Sequence, residues 1–165
     1  MIAYAVPMHA NADLITRFYT AFSARNADGM VACYADDIEF SDPVFPGLRG
    51  EEAKSMWRML AGRSKDLVVT FSDVHADDRS GRAHWEATYT FSATGRKVHN
   101  IIDAKFEFRD GKIVRHTDHF DLYRWMRLAM GGKGVALGWL PPVQGALRKK
   151  ARAGLVEFMA QQAAK

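Results

Sequence analysis

A chain of 165 residues, 48% apolar and 12% aromatic, is long enough for one domain with its own core and too apolar for wholesale disorder. Its formal charge of +4 gathers in one late stretch, RKKAR (148–152), with no nucleic-acid reading motif beside it; the stretch reads as a solvated helix face and no nucleic-acid partner is expected. No apolar run reaches the roughly 18 residues of a membrane span, and the single cysteine, Cys33, with no signal-like leader, points to a reducing cytoplasm.

The first predicted element is an amphipathic helix over residues 11–25, with Asn11 as N-cap and Leu14, Ile15, Phe18, Tyr19 and Phe22 at helical spacing. A short second helix over ADGMVACYADD (27–37) is expected to end before a strand DIEFSD, and a third over 51–62 to stop at Gly62. From residue 67 the apolar period becomes two. LVVTFSDVH, RAHWEATYTFS, KVHNIIDAKFEF and KIVRHTDHFDL read as four strands of an antiparallel meander joined by DDRSG, ATGR and RDGK. The remainder gives a short helix, a Gly/Pro-rich crossing and a last amphipathic helix on Val143, Leu147, Ala151, Leu155 and Phe158. Helices followed by a strongly bent antiparallel sheet make an α+β domain.

Turn chemistry sets the expected register. A three-residue RDG loop pairs Ala104 with His116 and Ile102 with Asp118, and a two-residue Thr94-Gly95 turn pairs Tyr89 with Asn100 and Trp85 with Ala104. One face then carries Trp85, Ala87, Tyr89, Phe91, Asn100, Ile102, Ala104, Phe106, Val114, His116, Asp118 and Phe120, and the other carries the charges. The small Ala87 and Ala104 are expected to leave open volume beside His116 and Asp118, as in a small-molecule site. Phe18, Phe40, Trp57, Trp85, Tyr89, Asn100, Ile102 and Phe120 are the candidate lining. Asp42, before Pro43 in FSDPVFPG, shares the face of Ile38 and Phe40. It is either a turn opener or a general base at the rim of the pocket.

Three helices, a strand ending in DP and a meander ending GKIVRHTDHFDLYRW resemble the nuclear transport factor 2-like fold, a cone whose mouth opens between sheet and helices, over roughly residues 11–130. Its ketosteroid isomerase, limonene epoxide hydrolase and SnoaL-like polyketide cyclase families are the relevant ones. YADDIEFSDPV (34–44) is similar to the isomerase segment whose aspartate is the general base, which implies that role for Asp42. The positions matching the isomerase oxyanion donors carry Phe18 and Ala104. HTDHFD is similar to the epoxide hydrolase stretch whose first aspartate orients water, which implies Asp118, while that enzyme's arginine and second acid align with Trp85 and Ala87. Tyr19, one position from Phe18, is turned by about 100 degrees and is not expected to replace its hydroxyl.

The expectation is a SnoaL-like domain over residues 1–130 and a helical extension over 131–165, packed on the same domain or on a partner subunit. Asp42, His116 and Asp118 are the candidate catalytic groups, acting without cofactor or metal on a small hydrophobic molecule; a hydrogen-bonded core His or Asp is the plainer alternative. His116 and His119 point to opposite faces, which argues against a metal site. No phosphate loop or nucleophile elbow is present. The resemblance implies a homodimer, through the outer sheet face with His99, Asp103 and Arg115 or through VALGWLPPV (135–143). Hydrophobic binding without catalysis is the other reading.

Overall fold

The computed structural model describes residues 7–165. Helix α1 spans Ala10–Ser23 and buries Leu14, Ile15, Phe18, Tyr19 and Phe22, the stripe the spacing predicts. His9, not Asn11, caps it, its ring accepting from the Asn11 amide at 3.1 Å. The Asn11 side chain instead donates to the Asp77 carbonyl at 2.9 Å. Helix α2 covers only Ala27–Val31, because the next residues are drawn into strand β1, Tyr34–Ser41. A two-residue strand β2, Leu48–Arg49, precedes helix α3, Glu51–Arg63, which runs through Gly62 without breaking.

The sheet continues with β3 (Val68–Ala76), β4 (Ser80–Phe91), β5 (Arg96–Arg109) and β6 (Lys112–His119). Its order is β2-β1-β6-β5-β4-β3, six strands in an open, curled sheet. Every pairing is antiparallel except β1 with β6, which is parallel. Local chain order cannot announce that contact, since residues between the two strands make the rest of the sheet.

Both hairpins are shifted by two residues from the expected register. Asp110 and Gly111 both hold positive φ, 51° and 73°, and form a two-residue turn that pairs Arg109 with Lys112. An irregularity between Glu107 and Phe108 then turns Ile113 inward in place of Val114, and Phe106, not Ala104, stands opposite His116. The β4–β5 connection takes four residues, 92–95, with Phe91 O accepting from the Gly95 amide at 2.8 Å, so Ala87 faces Asn100 and Trp85 faces Ile102. A shift of two preserves which side chains share a face. The expected inner set therefore survives apart from Val114, but its neighbours change.

Asp121 caps helix α4, Leu122–Met130, by accepting from Arg124 N at 2.9 Å. The Gly/Pro-rich crossing contains helix α5, Gly132–Leu137, whose Gly134 lies so close to α4 that a Cβ there would collide with the Met126 carbonyl. Helix α6, Pro141–Ala163, has Pro at its first position. It returns across α3, burying Leu155 with Ala151, Phe158 and Met159 at the main core, while Val143 and Leu147 join Val98, Leu122, Trp125, Met126 and Ala129 in a second cluster. Val44, Tyr89 and Phe120 touch both clusters, so the DPVF loop sits at their junction.

Candidate functional site

The parallel β1–β6 ladder assembles the site. Phe40 lies beside His116 and Ser41 beside Thr117. The next inward positions in that register are Asp42 and Asp118, on strands spaced roughly 4.8 Å apart. His116 is fully buried and Asp118 nearly so.

A one-way hydrogen-bond chain runs through them. Trp57 Nε1–H donates to the Tyr34 hydroxyl at 2.7 Å, which lies 2.7 Å from His116 Nδ1. His116 Nε2 lies 2.9 Å from Asp118 Oδ1, which also accepts from Trp85 Nε1 at 3.3 Å. An indole can only donate; with the Tyr34 proton given to His116 Nδ1 and the imidazole proton on Nε2 facing Asp118, each donor in the chain has an acceptor. Every polar atom of Trp57, Tyr34 and His116 is thereby satisfied. Oδ2 of Asp118 takes no hydrogen bond from the described residues. Burial, with the nearby Asp118 charge, holds the Tyr34 phenol well above its usual range.

Aromatic rings enclose the histidine: Trp57 stacks on it at 5.8 Å between centroids, and Phe106 stands at 4.4 Å, Phe40 at 5.1 Å and Phe18 at 5.4 Å. The open volume expected beside it is occupied by Phe106. Of the expected lining, Phe18, Phe40, Trp57 and Ile102 are fully buried, Trp85 and Asn100 nearly so, and Tyr89 and Phe120 partly exposed. Asn100 makes no side-chain hydrogen bond among the described residues, and Tyr89 accepts from Trp125 Nε1 at 2.8 Å.

Asp42 opens the turn after β1. Its Oδ1 accepts the amides of Val44 at 2.7 Å and Phe45 at 2.6 Å, the behaviour of a turn opener. Burial nonetheless pushes its carboxyl from 3.8 up to about 6. The Asp118 charge adds to the rise, while the two amides and His116 oppose it. Asp42 also acts on the Tyr89 phenol, which burial raises above its usual value. Asp42, His116, Asp118 and Tyr89 thus share one electrostatic neighbourhood at the junction of the two apolar clusters.

Tyr19 lies inward with the rest of its helical stripe. It is fully buried, with Phe71, Trp85 and Phe106 around its ring, and its hydroxyl is the one buried side-chain polar atom without a partner among the described residues. Tyr34 escaped the sequence reading for a simpler reason. Assigning 34–37 to helix hid the even-numbered parity that Tyr34 shares with Ile38, Phe40 and Asp42.

Two grooves open on the surface. One, of about 570 Å³, lies between Val44–Pro46 and the Arg148, Arg152 and Val156 side of α6; the other, of about 660 Å³, lies on the outer sheet face by Lys105, Arg115, Thr117 and His119. Neither is lined by Asp42, His116 or Asp118. Arg148 Nε donates to the Pro43 carbonyl at 2.8 Å, tying α6 to the Asp42 loop. Among the described residues no group of three or more His, Cys, Asp or Glu side chains is placed to hold a metal ion, and no helix is long and apolar enough to cross a membrane.

Residues 15–116 match the family model of the SnoaL-like domain. No curated protein matches the sequence. Among solved structures, a nuclear transport factor 2-like protein of unknown function from Burkholderia pseudomallei superposes with a TM-score of 0.65 at 18% identity, covering 75% of this chain and 100% of its own. An LEH-like epoxide hydrolase from M. tuberculosis gives 0.62 at 20% identity, covering 80% of this chain and 96% of its own. TerC, crystallised with polyporic acid, gives 0.64 at 17% identity, covering 74% and 100%. At these identities the likeness is one of fold.

Proposed function

The chain belongs to the SnoaL-like domain family, and from that membership and the Asp42 neighbourhood we propose a cofactor-independent acid–base enzyme of isomerase, cyclase or hydratase type acting on a small hydrophobic molecule. Asp42 is the general base, and Asp118, oriented by His116, holds a substrate hydroxyl, carbonyl or water. The observation that supports this reading is geometric: the β1–β6 register brings half-buried Asp42 to the inward face of buried His116 and Asp118, where burial raises its carboxyl to about 6. A base titrating just below neutrality is ionised in most molecules at pH 7 yet keeps useful proton affinity. Oδ1 is pinned by two amides, so Oδ2 takes the proton. Protonation removes the cost of an enclosed charge, and the acid can return that proton to another atom of the bound molecule. The open Oδ2 of Asp118 is the acceptor that fixes the substrate, while Tyr34 and Trp57 fix the His116 ring behind it.

The SnoaL-like domain covers residues 1–130 and the helical extension 131–165, with Arg148 joining the two at Pro43. The protein acts as a homodimer through the outer sheet face that carries His99, Asp103 and Arg115, in a reducing cytoplasm where the buried thiol of Cys33 stays free. Sedimentation velocity at micromolar concentration, showing a dimer or a monomer, decides the assembly.

A second reading has its own support: the rings that seal His116 and the amides that occupy Asp42 Oδ1 suit a module that binds a hydrophobic molecule without turning it over. Proton exchange separates the two. A panel of cyclic ketones in D₂O, followed by ¹H NMR, should lose α-protons faster with the wild-type protein, and Asp42→Asn should slow that exchange by about 10²-fold or more. Equal exchange with both proteins across the panel contradicts Asp42 as the base.

A further inference from the structure

Charge is unevenly divided along this chain. Residues 122–165 hold eight of the 23 Lys and Arg but one of the 19 Asp and Glu, a formal +7, whereas residues 1–121 hold the other 15 and 18, a formal −3. The same segment carries most of the unburied apolar bulk: Val135, Leu137, Trp139 and Val156 are among the seven exposed large hydrophobics of the described residues. Of the four tryptophans only Trp139 is open, at 60% exposed, against 1% for Trp57 and 7% for Trp85 and Trp125.

These groups form an ordered surface. Lys133, Val135 and Leu137 sit on α5, and Trp139 lies in the short link to α6. The close approach at Gly134, the Tyr123 hydroxyl on Val135 O at 2.9 Å and the Gln144 amide on Gly138 O at 2.9 Å hold the link down. Trp139 Nε1 donates to Ala136 O at 3.2 Å, which fixes the ring while leaving its face outward. Along α6, Pro141, Pro142 and Ala146 are exposed, followed by exposed Lys149 and Lys150, Lys149 at the edge of the groove beside Val44–Pro46. At 1.5 Å per residue those lysines lie about 13 Å from the start of the helix. The surface is an apolar tip with an indole, backed by a basic band.

We propose that this face docks on an anionic lipid surface, with Val135, Leu137 and Trp139 entering the interface and Lys133, Lys149 and Lys150 meeting the headgroups. Indoles and flanking lysines favour that boundary because one end is apolar and the other needs water or charge. Each basic side chain near an anionic leaflet adds about fivefold in affinity. A second copy of this chain is the poorer occupant, since pairing the face with itself would oppose two +7 segments. Nucleic acid would leave the valine and leucine of the tip unburied. The Asp42 loop, bound to α6 through Arg148, would stand beside a reservoir of apolar molecules. The docking face does not depend on what Asp42 does.

The test uses the whole protein with vesicles of phosphatidylcholine alone or with an equal share of phosphatidylglycerol, in co-sedimentation and tryptophan fluorescence. The expected result is binding to the anionic vesicles with a blue-shifted emission, lost at high salt and weak on neutral vesicles. Lys149→Ala with Lys150→Ala should weaken binding at least tenfold, and Trp139→Ala should weaken it and abolish the shift. No binding to the anionic vesicles at low salt overturns the proposal. So does equal binding by the variants, or tight binding to duplex DNA with none to vesicles.

Discussion

Deleting one hydroxyl, in Tyr34→Phe, tests whether the buried chain behind His116 is real. The ring and its stacking on Phe18 at 5.3 Å remain, so little apolar contact is lost. What remains behind is Trp57 Nε1–H and His116 Nδ1, in residues 1% and 0% exposed, each without its partner. A buried polar group stripped of its partner costs about 1–3 kcal/mol, so the two together should cost roughly 2–5 kcal/mol. At roughly 2–4 °C per kcal/mol for a domain of this size, Tm should fall by roughly 5–15 °C. The control is the same deletion at Tyr19, whose hydroxyl has no partner to strand. Tyr19→Phe should leave stability unchanged or raise it by about 1 kcal/mol. Urea unfolding and thermal melts of the two variants beside the wild type provide the measurement. Equal effects of the two deletions, or a Tyr34→Phe protein within about 0.5 kcal/mol of wild type, would refute the chain.

Asp42→Asn should preserve the amide cap and remove an enclosed charge. Because the fold raises this carboxyl from 3.8 to about 6, it favours the neutral acid; that stabilisation is complete below about pH 4 and is lost as pH rises through 6. The wild type should therefore lose up to about 3 kcal/mol relative to Asp42→Asn between pH 4 and 7, read from urea midpoints at both values. Asp118→Asn removes a charge that raises the Asp42 carboxyl, so its midpoint should fall, which an NMR titration reports. On the outer face, His84 is raised above 6.5 by Asp103 first and Glu86 second; Asp103→Asn should lower its midpoint, and the stability the pair gives below 6.5 should fade as pH rises through the raised midpoint. Leu155→Ala, at a residue 1% exposed where α6 meets the core, should cost about 2–5 kcal/mol by thermal melt.

Side-chain parity was the part of this protein its sequence made plain. Alternation placed Trp85, Asn100, Ile102, His116 and Asp118 on one face, and the helical stripe of Phe18 and Phe22 beneath it, because both periods are local properties. Register was not legible. The loop after Phe91 takes four residues where two suffice and slides β5 by two against β4; the shorter Asp110-Gly111 turn and the extra residue admitted at Glu107 slide β6 by one each, which puts Phe106 in place of Ala104 across from His116. Tyr34 and the parallel β1–β6 pair were hidden for a related reason, since a contact between residues 40 and 116 leaves no trace in either segment alone. The upward-shifted pKa of Asp42 is likewise a tertiary property, made by burial and by a neighbour more than 70 residues away.

Asp42 is the group on which the catalytic reading stands, and its carboxyl can be observed directly. With ¹³C-labelled aspartate in the wild-type protein and Asp42→Asn to assign the resonance, a titration from pH 3 to 8 should give a midpoint near 6 for Asp42. A midpoint near 3.8, the value of an ordinary turn aspartate, would contradict the account.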